Sequence, residues 1–257
     1  MTLYEAVFKR HSIRKFKFDP IGAEILEKIG SFYTDIVPLY PGIETEIGIT
    51  DNTANKRVAR GLFSCSAPYY LTIYSEKRPH YEMNAGYLCE QLSLYLFTLG
   101  IGSCFLGSTR LIDTPKVRSD KELVITMAFG RPAGRLARRA EDARRIPLRE
   151  LCVYKEPPSK WMSQVIEAAR LAPSALNSQP WRFVVVGSRI HIFSKKGGMD
   201  RPKRWDEFNF GVMFSHIAVA SEELWLDVDL IRLENISQKN FRSNQYVLSA
   251  IVRAQET

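Results

Sequence analysis

Cysteine is scarce in this chain. Four residues, Cys65, Cys89, Cys104 and Cys152, stand far apart among 257, with no Cys-x-x-Cys pair. That spacing excludes a disulfide-stapled scaffold and points to a reduced, cytoplasmic setting. Long apolar runs are missing as well. Met1–Arg10 lacks the hydrophobic stretch of a signal peptide. The longest uncharged run, Gln91–Thr109, contains Gln91, Ser93, Thr98, Gly100, Gly102, Ser103 and Ser108 and is bounded by Glu90 and Arg110. It reads as a buried helix followed by a glycine loop, not as a membrane span. The four histidines, His11, His80, His191 and His216, lack metal-ligand spacing, and no His-Glu-x-x-His is present. There is no phosphate loop of the Gly-x-x-x-x-Gly-Lys-Ser/Thr type and no Gly-x-Ser-x-Gly elbow. No metal is expected, and no side-chain nucleophile is in view.

What is present is ordinary globular composition, 45% hydrophobic and 25% charged. A chain of this length buries roughly three quarters of its unfolded surface. Lys and Arg outnumber Asp and Glu by 36 to 28, a net charge of +8. Much of the excess sits between 135 and 149, where Arg135, Arg138, Arg139, Arg144, Arg145 and Arg149 face only Glu141 and Asp142. Such a cluster attracts anions. Without a recognisable nucleic-acid module, a polynucleotide partner is not expected.

The order of elements occurs twice. In the first half, helices over 2–9 and 24–34 precede strands over 44–50 and 69–74, a long helix over 81–99 and a strand over 122–129. In the second half, Ser159 caps a helix over 160–171 that Pro173 closes. Strands over 182–186 and 189–194 flank a Gly187-Ser188 turn, followed by a long helix over 205–224 and a last strand over 246–252. The expected class is α+β, a mixed central sheet packed by helices and duplicated in tandem. The halves are 1–152 and 153–257, connected through the proline-bounded stretch 147–158.

Two segments carry chemistry. In Arg10-His11-Ser12-Ile13-Arg14-Lys15-Phe16, alternate residues of an extended chain face one way. Arg10, Ser12 and Arg14 can therefore converge on one anion, guanidinium forks matching phosphate oxygens. His11 then faces away. In Pro173-Ser174-Ala175-Leu176-Asn177-Ser178-Gln179-Pro180-Trp181, two prolines bound a short loop rich in hydroxyl and amide groups, suited to the polar edge of a flat heterocycle.

At these residues the chain resembles the FMN-dependent nitroreductase family. Arg-x-Ser-x-Arg-x-Phe and Pro-Ser-x-x-Asn-x-Gln-Pro-Trp are both similar to that family's motifs. Typical members carry both near the N-terminus and form homodimers with two flavin sites. Here the first half has only the basic motif and the second only the loop. The layout therefore resembles the internally duplicated, single-chain TM-nitroreductase branch, with one complete site. The resemblance implies a nitroreductase fold, one FMN and a monomer. Arg10, Ser12 and Arg145, with Arg144 next, would hold the phosphate. Arg14 would lie at the pyrimidine edge, Ser174 and Asn177 against the ring, and the Leu106 and Gly107 amides near N5. Leu99-Gly100-Ile101-Gly102-Ser103-Cys104-Phe105-Leu106-Gly107 resembles the family loop whose backbone amides face the flavin ring, and Cys104 reads as a packing residue. NADH or NADPH would supply electrons, and an electron-poor small molecule such as a nitroaromatic or quinone would receive them. The remaining alternatives are an FMN-binding sensor or electron carrier and a dehalogenase-like flavoenzyme of the same fold. Arg131, Arg135, Arg138 and Arg139 read as surface.

Overall fold

The computed structural model describes residues 1–56, 58–61, 64–112, 120–196 and 205–254. The chain parts into two compact units, 1–142 and 143–257. The break lies before the 147–158 stretch expected from sequence. The reason is β7 (Cys152–Tyr154), which joins the second unit's sheet alongside β8 (Trp181–Val186).

The first unit opens with α1 (Leu3–Lys9), started by a capping box in which the Thr2 hydroxyl accepts from the Glu5 amide and the Glu5 carboxylate accepts from the Thr2 amide. After α2 (Ala23–Asp35) come β1 (Thr45–Asp51), the two-residue β2 (Ala59–Arg60) and β3 (Tyr69–Glu76). Next are α3 (Tyr81–Thr98), β4 (Gly102–Leu106), β5 (Arg110–Leu111) and β6 (Lys121–Gly130). The main sheet runs β1-β3-β6-β4, antiparallel throughout, while β2 pairs with β5. α3 has apolar residues on all sides and is buried along most of its length, as a core helix must be.

The second unit contains α4 (Leu148–Leu151), β7, α5 (Lys160–Leu171), β8 and β9 (Arg189–Lys195). It continues with α6 (Asp206–Glu223), β10 (Leu226–Ile231), α7 (Glu234–Ser237) and β11 (Asn244–Ala254). Its sheet runs β10-β11-β9-β8-β7. Ser159 caps α5 as expected, accepting from the Met162 amide at 3.2 Å.

Both units share one topology. Each has two strands, an 18-residue helix and two more strands, with the fourth strand lying between the second and third. The likeness reaches side chains. Glu82-Met83-Asn84-Ala85-Gly86 opens α3, and Glu207-Phe208-Asn209-Phe210-Gly211 opens α6 at the same place. Asn84 Oδ1 accepts from the Tyr40 amide at 2.9 Å, and Asn209 Oδ1 accepts from the Ala175 amide at 2.8 Å. Each asparagine anchors the segment that leaves its unit's preceding helix.

At the helix C-termini the units diverge. Gly100 follows α3 at φ +79°, whereas the corresponding residue after α6 is Trp225 at φ +54°, 77% exposed. A left-handed φ favours glycine at this position. With so little of the indole buried, Trp225→Gly should stabilise the protein by about 0.5–1 kcal/mol in urea unfolding. A loss of stability would show that the ring contributes more than its exposure implies.

Five strands are not predicted by the sequence pattern: the two- and three-residue β2, β5 and β7, and the longer β4 and β10. β10 alternates apolar and acidic residues directly after the long helix. β4 replaces part of the expected glycine loop, although Gly102 is a poor strand former. Gly102 is there for proximity: a Cβ on it would lie 2.6 Å from Ile13 Cγ1 and 2.9 Å from Ile13 Cβ. Gly102→Ala should therefore cost about 1–3 kcal/mol of stability, measurable by chemical denaturation, by pushing the 10–16 segment off β4.

Candidate functional site

The segment after α1 lies along the outer edge of β4. Ser12 and Ser103 form a parallel bridge, and the Ile13 amide donates to the Ser103 carbonyl at 2.9 Å. Ile13 and Phe16 enter a buried cluster with Tyr70, Cys104 and Leu106. Ser103 is tied back to α3 by a 2.8 Å hydroxyl pair with Ser93. The motif is thus held by apolar anchors at 13 and 16, which leaves 10, 12 and 14 for polar work.

Those three residues do not share one environment. Arg10 is 5% exposed, and its Nε lies 3.2 Å from Oε1 of Glu90, a fully buried carboxylate on α3. Its Cζ also sits 6.0 Å from the Phe105 ring centroid. Apart from this ion pair its side chain hydrogen-bonds no described residue, so the buried guanidinium keeps its remaining N–H groups for an acceptor from elsewhere. Ser12 is half-buried and hydrogen-bonds the Cys104 thiol. Arg14 is exposed, yet its charge reaches Cys104 and Cys65. Ser12, Arg14 and Arg10 all act on Cys104, and of the three Arg10 is the most buried.

Cys104 is buried, and desolvation pushes its thiol up despite Arg14, Arg10 and the Ser12 hydrogen bond. Burial takes Cys65 up to about 12. Neither is a ready thiolate.

One arginine behaves differently from expectation. Residues 131–138 form a strap along 9–17. The Lys17 amide donates to the Arg131 carbonyl at 2.9 Å, Ala133 to Lys15 at 3.0 Å and Arg138 to Lys9 at 2.9 Å. Phe16 and Pro132 form a bridge, and His11 Nε2 meets the Arg135 carbonyl at 3.2 Å. The Arg138 Nε donates to the Arg10 carbonyl at 2.9 Å. Arg131, Arg135 and Arg139 are exposed, but Arg138 is half-buried and braces the backbone of Arg10. His11 is held below the usual histidine range, first by burial and then by the charges of Arg10 and Arg138, two backbone hydrogen bonds opposing. A cationic field surrounds the motif.

Leu106 pairs with Thr126 of β6 in the ladder. Since the Ser103 carbonyl faces the outer edge, alternation turns the Phe105 amide outward, with Gly107 next in that series, and the Leu106 amide toward β6. Phe105, and not Leu106, thus shares the outer edge with Gly107.

The loop of the second unit is closed by its own polar groups. Leu176, Asn177 and Gln179 all have left-handed φ, at 52°, 55° and 45°. Gln179 is 3% exposed: its Oε1 accepts from the Ile146 amide at 2.8 Å, and its Nε2 donates to the Asn177 carbonyl at 3.2 Å. The Gln179 amide donates to Ser174 Oγ at 2.9 Å. Asn177 Oδ1 accepts from Arg145 Nη1 at 3.0 Å, and Asn177 Nδ2 donates to the Arg144 carbonyl at 2.8 Å. Arg145 also donates to the Leu171 carbonyl through Nε at 3.2 Å and Nη2 at 3.1 Å. Arg145, Asn177, Gln179 and Ser174 therefore form one clamp. Arg144 contributes its carbonyl, and its side chain is exposed.

Among the described residues no group of three His, Cys, Asp or Glu is placed to hold a metal, and no helix is long and apolar enough to cross a membrane. Residues 2–221 match the family model described as "Putative TM nitroreductase". The chain belongs to this family. Membership makes it a nitroreductase-type oxidoreductase. A "putative nitroreductase" of Thermotoga maritima MSB8 has the same fold, at TM-score 0.64 and 21% identity, over 98% of this chain and 94% of that one. An FMN-dependent nitroreductase of Clostridium difficile R20291 matches at 19% identity and TM-score 0.42, over 54% of this chain and 93% of its own. A nitroreductase family protein of C. difficile 630 matches at 16% identity and TM-score 0.46, over 61% and 100%. No curated protein sequence matches significantly.

Proposed function

We propose that this nitroreductase-family chain binds one FMN and passes reducing equivalents from NADH or NADPH to an electron-poor small molecule such as a nitroaromatic or quinone. The observation that carries the reading is Arg10: a guanidinium 5% exposed, within a cationic field, ion-paired through Nε with Glu90 and otherwise hydrogen-bonded through its side chain to no described residue. A phosphate monoester fits this donor set in charge and in fork geometry.

On this reading Arg10 and Ser12 bind the phosphate. The Arg145 N–H groups keep the Ser174–Asn177 loop in shape. Phe105 and Gly107 offer outward amides from the β4 edge. Bound FMN supplies the hydride chemistry, and the protein contributes grip, orientation and electrostatics. No side chain of the chain is required as a nucleophile. Arg14, exposed above Cys104, supplies a cation where negative charge accumulates on reduction, which favours the reduced state. Arg14→Ala should therefore lower the midpoint potential of the bound flavin, by about 30 mV for each 1.4 kcal/mol of lost stabilisation. An unchanged potential in a redox titration removes Arg14 from this role.

The activity test compares steady-state NADH and NADPH oxidation, with and without a nitroaromatic or quinone, against flavin reduction in a single turnover. Sustained acceptor-dependent oxidation is expected. Flavin reduction without turnover would favour an electron carrier or sensor, and a dehalogenated product from a halogenated aromatic would favour that chemistry instead. Arrangement of both half-motifs in one chain predicts one FMN per chain in a monomer; two per chain, or one per two chains, contradicts it.

A further inference from the structure

Glu90 is a fully buried carboxylate on the mostly buried helix α3, and its charge lies against Arg10. Burying one carboxylate is unfavourable unless a cation answers it. The second unit provides an internal comparison. α6 starts 125 positions after α3 and has the same length, so the place of Glu90 is taken by Ser215. Ser215 is fully buried, and its hydroxyl has no hydrogen-bond partner among the described residues. The second unit also lacks an Arg-x-Ser-x-Arg segment. The buried carboxylate thus occurs in the unit that has Arg10, and not in the other.

We propose that Glu90 is a resident counter-ion that stands in for the cofactor phosphate. It holds Arg10 in the fold when the site is empty and weakens phosphate binding when the site is filled. The inference rests on the FMN reading above. Two opposing effects decide its sign. Glu90 restricts Arg10 to one orientation, and losing such ordering costs a few-fold in affinity. Against that, an anion bonded to the other end of the same guanidinium lies within about 8 Å of the carboxylate, by the dimensions of the group and two hydrogen bonds. At that separation and an effective dielectric near 20, repulsion between two negative charges is worth on the order of tenfold or more. Repulsion wins, so removing the Glu90 charge should tighten phosphate recognition.

The test measures FMN and riboflavin affinities by fluorescence quenching for the wild-type protein and for Glu90→Gln. Riboflavin lacks the phosphate, so the ratio of the two affinities isolates phosphate recognition, and a generally loosened fold leaves that ratio unmoved. Glu90→Gln is expected to raise the preference for FMN by about tenfold or more. It should also make folding dependent on an anion. Where the variant unfolds in chloride buffer, addition of FMN or inorganic phosphate should refold it. An unchanged or lowered ratio overturns the proposal, as does a variant that neither FMN nor phosphate refolds. A wild-type protein that binds FMN no better than riboflavin defeats the phosphate assignment itself, a distinct failure seen before any variant is made.

Discussion

Arg10→Met is expected to destabilise the protein by about 3–5 kcal/mol, because it leaves the Glu90 carboxylate buried with its cation gone. Domains are stable by only about 5–15 kcal/mol, so the loss is a large fraction of the total. The same substitution removes charge-assisted hydrogen bonds to the phosphate, each worth about 1.5–3 kcal/mol, and so weakens FMN binding by at least tenfold. Both losses from one substitution are ambiguous, since an unstable protein also binds poorly. The Arg10→Met/Glu90→Met double variant separates them. Replacing both members of a buried ion pair by apolar residues is often neutral or stabilising. Urea unfolding of the double variant should return close to wild type, while flavin titration should show FMN preference over riboflavin still lost. A double variant that prefers FMN as strongly as wild type would take the phosphate away from Arg10.

The second large effect belongs to Gln179. Its side chain accepts from the Ile146 amide and donates to the Asn177 carbonyl, while it is almost wholly buried. Gln179→Ala leaves both backbone groups without that partner and opens space beneath the loop, for a cost of about 2–3 kcal/mol. It also frees residues 144–146 from the loop, so the Arg145–Asn177 contact should loosen with it. Hydrogen exchange at the Ile146 amide is the direct readout. Protection should fall well below that of β8, while the β3 and β6 amides of the first unit stay unaffected. Unchanged protection at Ile146 would mean that the clamp is held by Arg145 and Asn177 alone.

Much of this molecule was legible in its residues, for reasons that differ by element. α5 was readable at both ends because Ser159 caps it and Pro173 stops it, two local signals. The repeated order of elements was readable because long apolar helices and alternating strands leave periodic traces. β4 left none: its sequence Gly-Ser-Cys-Phe-Leu suits proximity to Ile13 rather than strand propensity. The candidate site was only half visible. Alternation turns Arg10, Ser12 and Arg14 the same way, and all three act on Cys104. It said nothing of the depth of Arg10, which is set by Glu90, eighty positions later in the chain. A signal for Glu90 did exist, an acidic residue between Leu88, Cys89 and Leu92, where a buried charge demands a partner. Arg138 had no such mark within its arginine-rich stretch. Only the pairing of 131–138 with 9–17 separates it from its exposed neighbours.

The assignment of the phosphate to the first unit's basic motif is tested most directly by a crystal structure of the protein grown with FMN. Density for one flavin per chain, its phosphate bonded to Arg10 and Ser12, is the predicted result. A phosphate bound instead by the exposed arginines at 131–149, or a flavin in contact with neither Arg10 nor Ser12, would contradict it.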